Sequence, residues 1–382
     1  MIFSDVIRSY LKRRTGPWAG AAFQFLPPVF LLSVADEPDP DRQDVLHGDV
    51  VHAQPLATDL RAQFPDARIE WVVESAFSAL PAMNPAVDEV IPLSWRRWRK
   101  SLGKSETRAA MQAFWQTLRG RRYDWILDCQ GLLKSAAVVR MARGGVRVGP
   151  DRASAREPLA ALAYDRPVPV PRDWHVVRRN RAIGAGAFGY SIDTPARFGL
   201  TVPHLGIDEA PWLPQGRPMA LLVTGASRDA KLWPEAQWLE VAVHLQRAGL
   251  DLVWFWGSPA EEARARRLAD AAVQAAGAQA TASVVPPFLS VRDAARVIRM
   301  ARIVVGLDTG FTHLAGALGR PTIGIFADFD AVQCAVSGDS FCASFGGVGV
   351  IPATADVLAA VDEGLKATPV DTPAPAEPPA GG

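Results

Sequence analysis

From Gly48 onward, hydrophobic and polar positions fall into two kinds of alternating block. GDVVHAQPLATDLRAQFP (48–65) places apolar residues every three or four positions, which predicts a helix with one buried face. RIEWVVES (68–75), VDEVIPL (87–93), YDWILDCQ (123–130) and VRVGP (146–150) are short apolar runs that predict strands, with helical segments between them. The stretch 202–218, VPHLGIDEAPWLPQGRP, is rich in Pro and Gly and predicts an interdomain linker. The alternation then restarts. MALLVTGAS (219–227), LDLVWFWG (250–257), ARIVVGLDTG (301–310) and PTIGIF (321–326) predict strands with their following loops. The intervening WPEAQWLEVAVHLQRAG, AEEARARRLADAAVQAAG, VRDAARVIRMA and THLAGALG predict helices, as does 354–366.

Strands alternating with helices give βαβ units and parallel sheets. The expected fold is therefore α/β, with two Rossmann-like doubly wound domains over 48–205 and 219–366 and a ligand cleft at the carboxyl ends of their strands. Residues 367–382 form a Pro/Ala/Gly tail that is expected to be disordered. Residues 1–46 sustain neither period, because Pro27-Pro28 and the acidic, Pro-rich 37–41 interrupt it.

Composition narrows the function classes. In 382 residues, 41 Lys and Arg balance 40 Asp and Glu, so the chain as a whole offers no attraction to nucleic acid. Three cysteines, without metal-ligand spacing, fit neither a disulfide scaffold nor a zinc site. No uninterrupted apolar run reaches the roughly 18 residues of a membrane span. Lys12-Arg13-Arg14 and the apolar run after it resemble a signal peptide, but that run holds Gln24 and two prolines and no A-x-A site follows. The expected location is the cytoplasm.

Several constellations suit chemistry. In VVGLDTGFTHLAGALGRP, a buried strand ends at Asp308-Thr309-Gly310 and a helix starts at once. A helix N-terminus presents unpaired N–H groups and a positive dipole end to a phosphate; a plain N-cap is the equal alternative. His313 fits a phosphate contact or a core histidine equally well. TGASRDAKLWP carries Arg228 and Lys231, cations suited to a pyrophosphate or simply to solvent. Glu261 follows a strand, where a carboxylate accepts from ribose hydroxyls or merely favours the helix dipole. Asp49 opens a helix, as general base or as cap. Arg96, Arg97, Arg99 and Lys100 interleave with Trp95 and Trp98, a patch fitted to acceptor phosphates or a lipid surface, and Arg156 is a further cation near a helix start.

Taken together, GDVVHAQP, WVVESAF, IPLSWRRWRK, LDCQGLLKSA, SAREPLAALAYDRP, SRDAKLWPEAQW, WGSPAEEARA and VGLDTGFTHLAGALGRP run in the order found in the lipopolysaccharide heptosyltransferases, GT-B enzymes of inner-core assembly. The chain resembles that family from Gly48 to about Phe326, and its Arg-rich and AREP segments look more like the first heptosyltransferase than the second. The resemblance implies transfer of heptose from ADP-heptose to Kdo on lipid A, with inversion, without a metal or other cofactor, at the cytoplasmic face of the inner membrane as a peripheral protein. It implies Asp49 as the base. It implies Ser227, Lys231, Glu261, Leu289, Asp308, Thr309, Gly310 and His313 around the donor, and Arg96, Arg97, Arg99, Lys100 and Arg156 toward the acceptor. The second heptosyltransferase and a catalytically impaired nucleotide-sugar binder are the alternatives.

The chain departs from the family ahead of Gly48. There the family has an apolar strand running into Lys-Thr-Ser-Ser, and this chain has EPDPDRQDVLH. Arginine supplies 35 of the 41 basic residues, a bias that suggests a G+C-rich coding sequence. One back-translation of 37–47, read a base later, gives Ser-Arg-Ile-Leu-Ile-Val-Lys-Thr-Ser-Ser and lacks a single G before Gly48. Residues 1–47 are therefore expected to be an aberrant, out-of-frame segment, and the chain to lack its first central strand.

Overall fold

The computed structural model describes residues 29–34, 45–226, 232–327 and 331–371. Two compact units emerge from the packing. The first comprises Met1–Asp36, Pro55–Ala82 and Ala86–Ala196; the second comprises Glu37–Gln54, Met83–Pro85 and Arg197–Gly382. The second unit thus takes residues 48–54, 83–85 and 197–205, which the sequence pattern put with the first domain.

In chain order the first sheet and its helices are β1 (Val29–Val34), α1 (Val45–Gln63), β2 (Arg68–Glu74), β3 (Glu89–Leu93), α2 (Trp95–Lys100), α3 (Ser105–Arg119), β4 (Tyr123–Asp128), α4 (Leu133–Met141), β5 (Gly144–Pro150), β6 (Arg166–Val168) and α5 (Val176–Phe188). The strands lie in the order β3-β2-β1-β4-β5-β6, all parallel. The expectation of a missing central strand is corrected here. VFLLSV, directly after Pro27-Pro28, is that strand, with Phe30 opposite Ile69 on one side and Trp125 on the other. A proline just before a strand removes no ladder bond from it, so the pair marks the strand's start.

The second unit repeats the plan with β7 (Met219–Val223), α6 (Glu235–Arg247), β8 (Asp251–Phe255), α7 (Pro259–Ala276), β9 (Ser283–Val284), α8 (Val291–Met300), β10 (Ile303–Leu307), α9 (Gly310–Ala317), β11 (Thr322–Phe326), β12 (Cys342–Gly346) and α10 (Thr354–Lys366). Its order, β9-β8-β7-β10-β11-β12, is that of the first sheet, and it too is all parallel. Parallel sheets are covered on both faces, so β7, β8, β10 and β11 are buried at every position. Trp233, Trp238 and Trp254 fill the core, with Trp233 and Trp238 edge to face at 5.3 Å. The tail prediction is shortened. Residues 367–371 are held in place, because Val370 N donates to Gly319 O at 2.8 Å and Arg320 grips Asp371. Residues 372–382 lie outside the described residues.

Candidate active site

In an open sheet of this order, ligands bind where the chain reverses direction across the sheet, between the first and fourth strands of each unit. In the second unit that point lies between β7 and β10. These strands are followed in sequence by TGASRDAK, of which 224–226 are described, and by Asp308-Thr309-Gly310, the segments singled out by sequence.

Gly310 opens α9. The Thr309 side chain at the N-cap position makes no cap hydrogen bond, which removes the plain-cap reading for that residue. The turn is instead braced from below, where Thr312 Oγ1 donates to Leu307 O at 2.6 Å. Asp308 Oδ1 lies 3.0 Å from His313 Nε2, one helical turn on. His313 is 3% exposed, and its Nδ1 lies 3.2 Å from Nε2 of His52, which is 4% exposed. The two imidazoles meet edge to face, with centroids 4.5 Å apart.

Sequence reading missed His52. It follows Asp49 by three residues on α1, so the two share one helix face. Asp49 is itself half-buried and belongs to the second unit. Gly48 packs on the histidine pair, since a Cβ there would lie 3.5 Å from His52 Cε1 and 3.6 Å from His313 Cδ2.

Glu261 sits in the first turn of α7, beyond the end of β8. Ser258 caps that helix by accepting from Glu261 N, and Glu261 Oε2 accepts from Gly257 N at 2.7 Å. The carboxylate also lies against the loop after β7, where a Cβ on Gly225 would meet Glu261 Cδ at 2.5 Å. Only glycine at 225 leaves that space. Leu289 is half-buried on the connection between β9 and α8. Beside it, Phe288 is exposed and stands edge to face with Trp256 at 5.8 Å. Ser227 and Lys231 lie outside the described residues.

In the first unit, α2 divides its residues by face. Trp98 is buried against Phe114, with centroids 5.5 Å apart, and Trp95 packs on the same core. Arg97, Arg99 and Lys100 point outward and are exposed, while Arg96 lies in the same helix. The interleaved tryptophans thus anchor the helix, and the surface is left to the cations. Arg156 is exposed and lines a small recess with Gln130, Arg179 and Asn180. Among the described residues no group of three or more His, Cys, Asp or Glu is placed to hold a metal ion, and no helix is long and apolar enough to cross a membrane.

The profile of glycosyltransferase family 9 (heptosyltransferase) matches residues 111–342. Lipopolysaccharide heptosyltransferase 1 of Salmonella typhimurium is 37% identical over 286 residues, covering 74% of this chain and 86% of that protein. The Pseudomonas aeruginosa protein of the same name is 40% identical over 280 residues, covering 73% of this chain and 75% of its own. Among solved structures, the E. coli heptosyltransferase WaaC with ADP superposes with a TM-score of 0.73 at 32% identity, over 88% of this chain and 99% of that one.

Proposed function

The chain belongs to the heptosyltransferases of glycosyltransferase family 9 and is a glycosyltransferase of GT-B fold, and from that premise we propose that it moves heptose from ADP-heptose to the Kdo of a Kdo-lipid A acceptor, with inversion. The observation that carries the reading is the turn at Asp308-Thr309-Gly310, set where the second sheet changes direction and backed by His313.

In this reading the first-turn N–H groups of α9 and the Lys231 ammonium receive the donor diphosphate, with Ser227 beside them, and Glu261 accepts from the ribose hydroxyls near Leu289. Asp49 takes the proton from the acceptor hydroxyl as that oxygen attacks the anomeric carbon. The bond from that carbon to the diphosphate oxygen breaks, and ADP leaves with the electron pair. Helix end and cations neutralise the leaving group, so a chelator should leave turnover unchanged.

Arg96, Arg97, Arg99, Lys100 and Arg156 take the acidic acceptor. Residues 95–122 hold nine Lys and Arg against one acid in a chain of net charge +1. A concentration of that size favours peripheral contact with an anionic membrane surface, where each cation contributes about 1 kcal/mol.

The test is ADP release from ADP-heptose with Kdo-lipid A. Release that requires this acceptor supports the reading. Release only with an already heptosylated acceptor identifies the second heptosyltransferase reaction. Donor binding without release with either acceptor identifies an impaired nucleotide-sugar binder.

A further inference from the structure

The second unit contains a buried chain of side chains whose last member, His52, has no part in the proposed chemistry. It runs from Asp308 Oδ1 to His313 Nε2 at 3.0 Å, and from His313 Nδ1 to His52 Nε2 at 3.2 Å. Its two ends matter. Asp308 begins the turn proposed to hold the leaving diphosphate, and His52 lies one helical turn beyond the proposed base, Asp49.

The chemistry of imidazole gives the chain a direction. A carboxylate only accepts, so His313 donates through Nε2–H. The other nitrogen of a neutral ring is then an acceptor, so His52 donates through its own Nε2–H. In that neutral arrangement each ring carries its proton on Nε2, and the Asp308 carboxylate sets the direction of both contacts. The contact is also steric. The edge of one ring meets the face of the other at 77°, and a Cβ on Gly48, which immediately precedes Asp49, would lie in van der Waals contact with both rings.

We propose that His52 is a positioning residue for the transfer reaction: through His313 it ties the helical turn bearing Asp49 to the Asp308 turn, so that base and leaving-group site keep one spacing. The inference rests on the function proposed above. A helix turn released from this tie shifts Asp49 without removing it, and a misplacement of about 1 Å costs rate by about 100-fold while leaving ligand contacts in place.

The experiment compares kcat, donor KM and ADP affinity for wild type, His52→Leu, His52→Gln and Asp49→Ala. His52→Leu should lower kcat by about 10- to 100-fold, with donor KM and ADP affinity changed less than about threefold. His52→Gln places an amide N–H near the position of Nε2 and should recover most of kcat. A general loss of fold would lower ADP affinity as well and would not be rescued. If Asp49→Ala abolishes turnover while His52→Leu matches wild type, the positioning role is wrong and the function stands. If Asp49→Ala retains turnover, the base assignment fails first. Nitrogen NMR of the wild-type imidazoles tests the chain without substitution. Both should be Nε2–H tautomers, and an Nδ1–H tautomer at His52 overturns the inference.

Discussion

The two units solve the same topological problem with opposite outcomes. In each, a carboxylate stands at the end of the fourth strand: Asp128 closes β4, and Asp308 follows β10. Asp128 is fully buried and its partners are its own neighbourhood. Tyr164 OH donates to it at 2.7 Å and Gln130 N at 2.8 Å, with Gly131 N next in line. Asp308 keeps 14% of its side chain exposed, bonds His313, and leaves the start of α9 without a side-chain cap at Thr309. One turn is closed on itself, and the other is presented.

The sequences that follow the first strands differ as sharply in composition. Residues 35–44, after β1, carry five acids and one Arg. Residues 224–231, after β7, carry Arg228 and Lys231 against Asp229. A diphosphate is repelled by the first composition and attracted by the second. Identical strand order thus sets where a site can lie, and the donor site proposed for the second unit follows from the side chains at two of its strand ends.

The largest expected effect separates binding from chemistry. Asp49→Ala should lower turnover by about 10³-fold or more, in the range of a lost general base, while ADP-heptose affinity stays within a few-fold. Titration calorimetry and ADP-release kinetics read the two quantities separately. Retained turnover removes Asp49 from the mechanism, and lost affinity makes it part of the donor site instead.

The acidic segment offers the next test. Replacing 35–47 with Lys-Thr-Ser-Ser-Met, which leaves β1 in place and lets it run straight into that sequence, should raise turnover by about 100-fold, the worth of one well-aimed cationic or N–H donor at a developing charge. The coding sequence ahead of Gly48 supplies an independent check, since one extra G restores that reading. Equal turnover of the two chains would show that the sequence as it stands is already sufficient there.

A smaller effect is expected at the first unit's surface. Changing Arg97, Arg99 and Lys100 together to Gln should weaken binding to anionic vesicles by about 3 kcal/mol at low salt, and the difference should shrink as salt screens it. Equal vesicle binding by the variant would move the membrane contact elsewhere. Because Trp98 and Trp95 hold α2 to the core, the fold should survive the change.

How far this was legible in the sequence depends on where each signal resides. The buried strands β2, β4, β7, β8, β10 and β11 were read from apolar runs, and α10 within its observed bounds, because burial on both faces writes itself into consecutive residues. β12, CASFG, is a half-buried edge strand in which Phe345 is the one large apolar residue, and β9 has two residues, so neither leaves such a run. β1 was passed over because its proline pair was taken as an interruption when it marks the strand's beginning. At the site, Asp308-Thr309-Gly310 was visible as a strand running straight into a helix. His52 was not, because its partner lies 261 residues away and its own segment reads as ordinary helix. In α2, the spacing of three between Trp95 and Trp98 was the available sign that both rings turn inward.

The last prediction concerns the closed turn itself. Burial pushes the Asp128 carboxyl above its ordinary range, and the hydrogen bonds it accepts offset only part of that push. Its pKa is therefore higher in the folded chain than in the unfolded one. Between those two values the native state holds a proton that the unfolded state has lost, so stability falls as pH rises through the window and is regained as pH drops. The slope is at most about 1.4 kcal/mol per pH unit. Asp128→Asn keeps an acceptor for Gln130 N and has no proton to lose, so the urea midpoint of the variant should lack this component of the pH dependence above about pH 4. Subtracting the two midpoint curves isolates it. If they run parallel, Asp128 carries the same charge folded and unfolded, and the contrast with Asp308 is then one of geometry alone.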